Sequence, residues 1–169
     1  MTEQIHFFLV EDDLVFIDML TKLLEDAGHR VTSESNSEVA LAAIKAARPD
    51  CLLIDLMMPG KDGLTLCKEI RAQPELAEAR LIVVSAKSYE FDRKRALEFG
   101  ADGFIQKPIS STTFVAEVER IVADRMEATF WGVRGTLPVP GPQTLRYGGN
   151  TSCVTLQLAR GPFFIFDAG

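Results

Sequence analysis

Five times before residue 127 a short apolar run is followed by an amphipathic stretch, and no other feature of the 169-residue sequence restricts its fold as tightly. The runs IHFFLV (5–10), CLLI (51–54), LIVV (81–84) and GFI (103–105) do not alternate with polar residues and are rich in β-branched and aromatic side chains, as in strands covered on both faces. HRVTSE (29–34) is more polar and suits an edge strand. Leu20, Leu23, Leu24 and Ala27 form one helical stripe that stops at Gly28, a residue free to turn left-handed after a helix end. The second helix is predicted to open on a capping box in Ser35-Asn36-Ser37-Glu38 and to stop before Pro49. A third runs from about Asp62 to before Pro74, and a fourth from about Tyr89 to Gly100. The fifth follows a Ser110-Ser111 cap and carries Phe114, Val118, Ile121 and Val122 on one face. Strand and helix alternating in this way predict an α/β fold: a doubly wound five-stranded parallel sheet with five helices.

The pattern ends near residue 127. Residues 128–169 hold three of the 18 Lys and Arg but one of the 24 Asp and Glu, together with seven of the 12 Gly and four of the 8 Pro. That is the habit of a turn-rich β segment, so the expected organisation is a domain over 1–127 and a short β-rich segment over 128–169. The net charge of −6 argues against nonspecific nucleic-acid binding. No apolar run approaches the roughly 20 residues of a membrane span, and MTEQIHFFLVEDD lacks a basic, cleavable leader; a cytoplasmic protein without membrane partners is expected. Cys51, Cys67 and Cys153 are odd in number and far apart, which predicts reduced thiols and no cysteine metal site.

In an open parallel sheet, functional groups gather at the carboxyl ends of the strands. The first strand runs into Glu11-Asp12-Asp13, the third into Asp55, the fourth into Ser85 and the fifth into Lys107-Pro108. Taken singly each has an ordinary explanation: an acid favouring the next helix N-terminus, a turn serine, a solvated amine. Together they are a chemical set. A carboxylate that attacks a dianionic phosphoryl group needs a divalent cation to offset the repulsion, and hard oxygen ligands hold Mg2+. Asp12, with Glu11 behind it through water, can supply those oxygens beside Asp55. The Lys107 amine and the Ser85 hydroxyl can then contact the phosphoryl oxygens.

LVEDD, LLIDLMMPGKDG, IVVSAKS and GADGFIQKPI stand in the order and spacing of the receiver domain of two-component response regulators, which residues 4–126 closely resemble. The resemblance implies a flavodoxin-like receiver in which Asp55 is the phosphoacceptor, Glu11 and Asp12 are metal-site acids, and the metal is Mg2+ or Mn2+. It makes Ser85 the switch hydroxyl, Lys107 the invariant amine, Phe104 the switch aromatic and the Met57 backbone carbonyl a metal ligand, and it implies a cis Lys107-Pro108 bond. Asp13 is expected to be a helix cap and only a secondary candidate for the metal. The implied partners are a sensor histidine kinase or phosphotransfer protein on one side, and the chain's own output segment or a partner protein on the other. Phosphatases of the haloacid-dehalogenase type need a second acid two residues after the nucleophile; Met57 stands there. A flavodoxin would not place three acids where its phosphate loop belongs.

RYGGNTSC (146–153) followed by a strand ending in DAG (167–169) resembles the opening hairpins of metallo-β-lactamase-fold hydrolases. Three short strands are predicted around 129–134, 151–158 and 163–167, with a hairpin at Arg160-Gly161. The histidine cluster that holds metals in that family is absent, because the chain's two histidines are His6 and His29. The expectation is therefore a non-enzymatic phosphoacceptor domain followed by the beginning of a longer output domain. The alternative is a fragment of a metal-dependent hydrolase regulated by the receiver. Unprotected strand edges in the segment allow a homodimer.

Overall fold

The computed structural model describes residues 4–86, 90–123, 126–131, 153–158 and 163–167, the side chains of the last three stretches excepted. The chain divides into two compact units, Met1–Val122 and Ala123–Gly169.

The first unit alternates strands β1 (His6–Val10), β2 (Arg30–Glu34), β3 (Cys51–Ile54), β4 (Arg80–Ser85) and β5 (Gly103–Gln106) with helices α1 (Leu14–Asp26), α2 (Ser37–Ala47), α3 (Gly63–Arg71), α4 (Glu90–Glu98) and α5 (Phe114–Ala123). The strands pair in parallel in the order β2-β1-β3-β4-β5, which puts the polar β2 at an edge. This is the predicted doubly wound sheet. Its strands are greasy on both sides because successive residues serve two cores. Phe8, Val10, Leu52, Ile54, Leu81 and Val83 pack with residues of α2, α3 and α4. Phe7, Leu9, Cys51, Leu53, Ile82 and Val84 pack on the other face with residues of α1 and α5.

Several helix ends differ from expectation. Ala27 is exposed and caps the C-terminus of α1, while Ile17 joins Leu20 and Leu24 in the buried stripe; the face reaching the sheet is one turn nearer the N-terminus. The cap of α2 is Asn36, whose carboxamide oxygen accepts from the Glu38 N–H at 2.9 Å, in place of a box closed by Ser35. Ser37 points elsewhere, as described below. Before α5, the carbonyl of Ser110 accepts the N–H groups of Thr113 and Phe114, so a turn over 110–113 precedes a helix that starts at Phe114. Gly28 and Gly100 both have positive φ, each two residues past the last residue of a helix. Tyr89 lies outside the described residues.

Asp102 fastens the far edge of the sheet. Its carboxylate accepts from Arg71 at 2.6 Å, from Arg80 at 3.0 Å and from the Leu81 N–H at 2.8 Å, tying the end of α3 to the entries of β4 and β5.

In the second unit, β6 (Met126–Trp131), β7 (Cys153–Leu158) and β8 (Phe163–Asp167) form an antiparallel sheet in the order β6-β7-β8. β6 starts earlier than the run around 129–134 suggested, because β7 offers a partner from Leu158, opposite Met126, to Cys153, opposite Trp131. The hairpin residues Arg160 and Gly161 and the motif at 146–152 lie outside the described residues.

Candidate functional site

Sheet register brings the polar strand ends together. Val10 pairs with Ile54, Ile54 with Val83 and Val83 with Phe104, so four strands run level before they end. One residue later stand Glu11 and Asp55, and the Asp55 N–H donates to the Val10 carbonyl at 2.9 Å. The chain reverses its winding direction between β1 and β3, and the crevice there is where open parallel sheets bind ligands.

Glu11 and Asp55 are buried, with 4% and 5% of their surface exposed. Asp12 is exposed, yet one oxygen from each of the three carboxylates lies within 4.8 Å of the others. Lys107 reaches in from the end of β5, its ammonium donating to Glu11 Oε2 at 2.7 Å and to Asp55 Oδ2 at 3.3 Å. Burial pushes the Glu11 carboxyl above its usual range, against the pull of the bonded Lys107 ammonium, and the charge of Asp55 adds to the rise. Three acids and one amine leave an excess of negative charge lined by hard oxygens. That donor set fits a small divalent cation such as Mg2+, with Glu11, Asp12 and Asp55 as the residues to hold it.

The remaining predicted residues surround this point. Ser85 is fully buried at the end of β4, and its carbonyl accepts the Lys107 N–H at 2.9 Å, so hydroxyl-bearing and amine-bearing residues are tied backbone to backbone. Met57 is exposed and donates its N–H to Asp55 Oδ1 at 3.2 Å. Phe104 is partly buried against the core formed with α2, α3 and α4. The Lys107-Pro108 bond is cis. Asp13 caps α1, accepting from Val15 N–H at 2.9 Å and Phe16 N–H at 3.2 Å, as expected. His6 and His29 are both buried away from the pocket, bonded to Thr32 at 2.9 Å and Glu119 at 3.1 Å respectively. Cys51 and Cys67 are buried, and burial pushes the Cys67 thiol up to about 12 and the Cys51 thiol higher still, so neither is a thiolate near neutrality.

Two residues near the site are not singled out for it by the sequence reading. The Ser37 hydroxyl, 1% exposed, donates to the Pro59 carbonyl and accepts from the Lys61 N–H, each at 2.9 Å. It thereby clamps the loop that leaves β3. The apparent capping box conceals this, because a serine before a helix reads as a cap. Phe16 lies with its ring centroid 4.1 Å from the Lys107 ammonium. Its place in an amphipathic helix gives no separate signal.

Residues 7–119 match the family described as the response regulator receiver domain. The transcriptional regulatory protein BaeR of Escherichia coli O6:H1 is 40% identical over 114 residues, which are 68% of this chain and 46% of that protein. The alkaline phosphatase synthesis transcriptional regulatory protein PhoP of Bacillus subtilis is 33% identical over 114 residues, 68% of this chain and 47% of its own length. The chain thus spans about half the length of the curated relatives it matches. Among solved structures, a response regulator from Chloroflexus aurantiacus superposes with a TM-score of 0.67 at 30% identity, covering 72% of this chain and 99% of that one. The BeF3-activated N-terminal receiver domain of Klebsiella pneumoniae RstA gives 0.64 at 26% identity, covering 69% and 97%. The paired acids, the strand-end aspartate and the lysine that bridges them all lie inside the matched stretch, and the chain belongs to the response regulator receiver domain family.

Proposed function

We propose that residues 1–127 act as a phosphorylation-controlled switch in which Asp55 takes a phosphoryl group from a histidine kinase or a phosphotransfer protein. The observation that carries this reading is the Lys107 ammonium held between Glu11 and Asp55 at the switch point of the sheet. A carboxylate oxygen of Asp55 forms a bond to phosphorus while the bond from phosphorus to the donor's leaving atom breaks. Lys107 exchanges its carboxylate partners for a phosphoryl oxygen, and the Ser85 hydroxyl donates to another. Glu11, Asp12, Asp55 and the Met57 carbonyl would hold a Mg2+ or Mn2+ ion, which when bound would supply the charge that offsets repulsion between carboxylate and phosphoryl oxygens. Once Ser85 turns toward the new anion, Phe104 moves into the space it leaves and repacks the surface formed by α4, β5 and α5.

The names of the relatives as transcriptional regulators concern proteins about twice as long as the matched part. For this chain the proposal stops at control of its own C-terminal segment or of a partner protein. Residues 128–169 are assigned to the opening strands of a metallo-β-lactamase-fold output segment on the Arg146–Cys153 motif, and the antiparallel order β6-β7-β8 suits that assignment.

Mg2+ and acetyl phosphate added to the full chain are expected to give one acid-stable, base-labile phosphate per molecule, read by intact mass. Asp55→Asn, nearly isosteric, is expected to keep the fold and lose the label. Full labelling of that variant would remove Asp55 as the acceptor.

A further inference from the structure

The ammonium of a lysine has three N–H donors and no acceptor. In this pocket two directions are occupied by Glu11 Oε2 at 2.7 Å and Asp55 Oδ2 at 3.3 Å. The Phe16 ring, with its centroid 4.1 Å from Nζ, lies on a further side and presents its negative π face to the cation. The amine is consequently shielded, with 19% of the Lys107 side-chain surface exposed.

The position of the ring follows from the short stretch that also supplies the acids. Asp13 accepts from Val15 N–H and Phe16 N–H, fixing the first turn of α1 directly after Glu11 and Asp12. The packing of α1 on the sheet depends on Ile17, Leu20 and Leu24, which are buried, whereas Phe16 is only partly buried at the edge of that cluster. The helix therefore has other anchors, and beyond its packing at the edge of that cluster Phe16 makes a distinct contact with the ammonium.

We infer that Phe16 is a positioning residue for Lys107: its ring holds the ammonium over the Asp55 carboxylate and keeps water from its open side. The inference rests on the reading of Lys107 as the amine that meets the phosphoryl group. When a cation draws on the carboxylate oxygens, Lys107 loses the bonds that now fix it, and the neutral ring is the partner that does not compete for that cation. The amine then remains aimed at the place where the phosphoryl oxygens arrive. A leucine would preserve apolar volume without the π face; a tyrosine would preserve the face.

The test uses the full chain with acetyl phosphate and Mg2+, comparing wild type with Phe16→Leu, Phe16→Met and Phe16→Tyr, each first checked for a wild-type circular dichroism spectrum. The initial rate of Asp55 labelling is expected to fall by about threefold to tenfold in the Leu and Met variants and to stay within about twofold of wild type in the Tyr variant. In lysine-labelled protein without phosphodonor, the Lys107 ε-methylene resonance, assigned through Lys107→Arg, is expected to show an upfield ring-current displacement in wild type and Phe16→Tyr. That displacement should vanish in the other two. Equal rates in all four proteins, or equal losses in the Leu, Met and Tyr variants, overturn the inference, as does a Lys107 resonance that Phe16→Leu leaves in place. A wild-type chain that takes no label refutes the phosphoacceptor reading instead, and the resonance still decides whether the ring holds the amine.

Discussion

Among the described glycines, Gly63 is the one where an added methyl group should damage the site most. Gly63 is the first residue of α3, and a Cβ built on it would lie 2.4 Å from the Asp55 carbonyl oxygen, 2.8 Å from the Leu56 Cα and 3.2 Å from the Asp55 carbonyl carbon. Ordinary contact begins near 3.4 Å, so about 1 Å of separation has to be found. Every atom met is backbone, and no side chain can rotate out of the way. The helix is held by buried Leu64, Leu66, Cys67 and Ile70, while Asp55 is held by its bond to the Val10 carbonyl at 2.9 Å. Whichever side yields, overpacking of this kind costs about 1–3 kcal/mol. If the Asp55 segment yields, a misplacement of about 1 Å at a reacting group slows the chemistry on the order of a hundredfold. Urea unfolding gives the first quantity and acetyl phosphate labelling at a temperature where the variant is folded gives the second. Gly28→Ala is the control: φ there is +90° with nothing within 4 Å, so strain of about 1–2 kcal/mol is expected with labelling unchanged. A Gly63→Ala protein that unfolds and labels like wild type would refute the steric argument.

Ser37→Ala leaves the Pro59 carbonyl and the Lys61 N–H without their shared hydroxyl, and should cost about 1–3 kcal/mol in urea unfolding and slow labelling by acetyl phosphate, since the freed loop follows directly on Asp55 and Met57. Burial, then the nearby Arg30 charge, holds the His6 imidazole below its ordinary value of 6.5, with Asp50 opposing. The unfolded chain takes up a proton first as pH falls, so stability from this group is present above 6.5 and lost on descending from there to the lowered folded value. Unfolding free energies from pH 7.5 down to about 5.5 should decline more steeply for wild type than for His6→Gln; parallel curves would remove His6 as the cause.

The sheet was legible because unalternating runs such as CLLI and LIVV have one economical explanation, burial on both faces, and the two cores confirm it residue by residue. The pocket was legible for a related reason: chemistry at strand ends of a parallel sheet converges by topology, so Glu11, Asp55 and Lys107 could be brought together before any distance was known. What escaped depends on direction in space. Ser37 has the same local sequence whether its hydroxyl caps α2 or crosses to the loop after β3, and only the approach of Pro59 and Lys61 decides between them. Ala27 continues a helical stripe by spacing, but α1 ends at Asp26 and the stripe turns outward. Phe16 becomes distinctive only once β5 delivers a cation to its ring.

In the proposed switch, the position of Lys107 would let one strand both sense and transmit. Lys107 is the sole cation bonded to Glu11 and Asp55 among the described residues, and on the proposed phosphorylation of Asp55 the phosphoryl oxygens would compete for it with the bonds at 2.7 and 3.3 Å. The backbone of the same residue is pinned to Ser85 at 2.9 Å, and three residues earlier Phe104 is partly buried against the core. In the proposed switch, a displacement of Lys107 would pull on the Ser85 end of β4 through that bond and reach Phe104 along the strand. α4 is the adjoining element best suited to respond: Ala96 and Asp92 are buried while Phe91 and Leu97 stand exposed at 66% and 47%. Among the described residues α4 has two buried anchors, whereas α1 has three and an Asp13 cap, so the proposed switch is expected to displace α4 before α1. The acids stand directly before the well-anchored α1, and in the proposed switch the change is expected at α4.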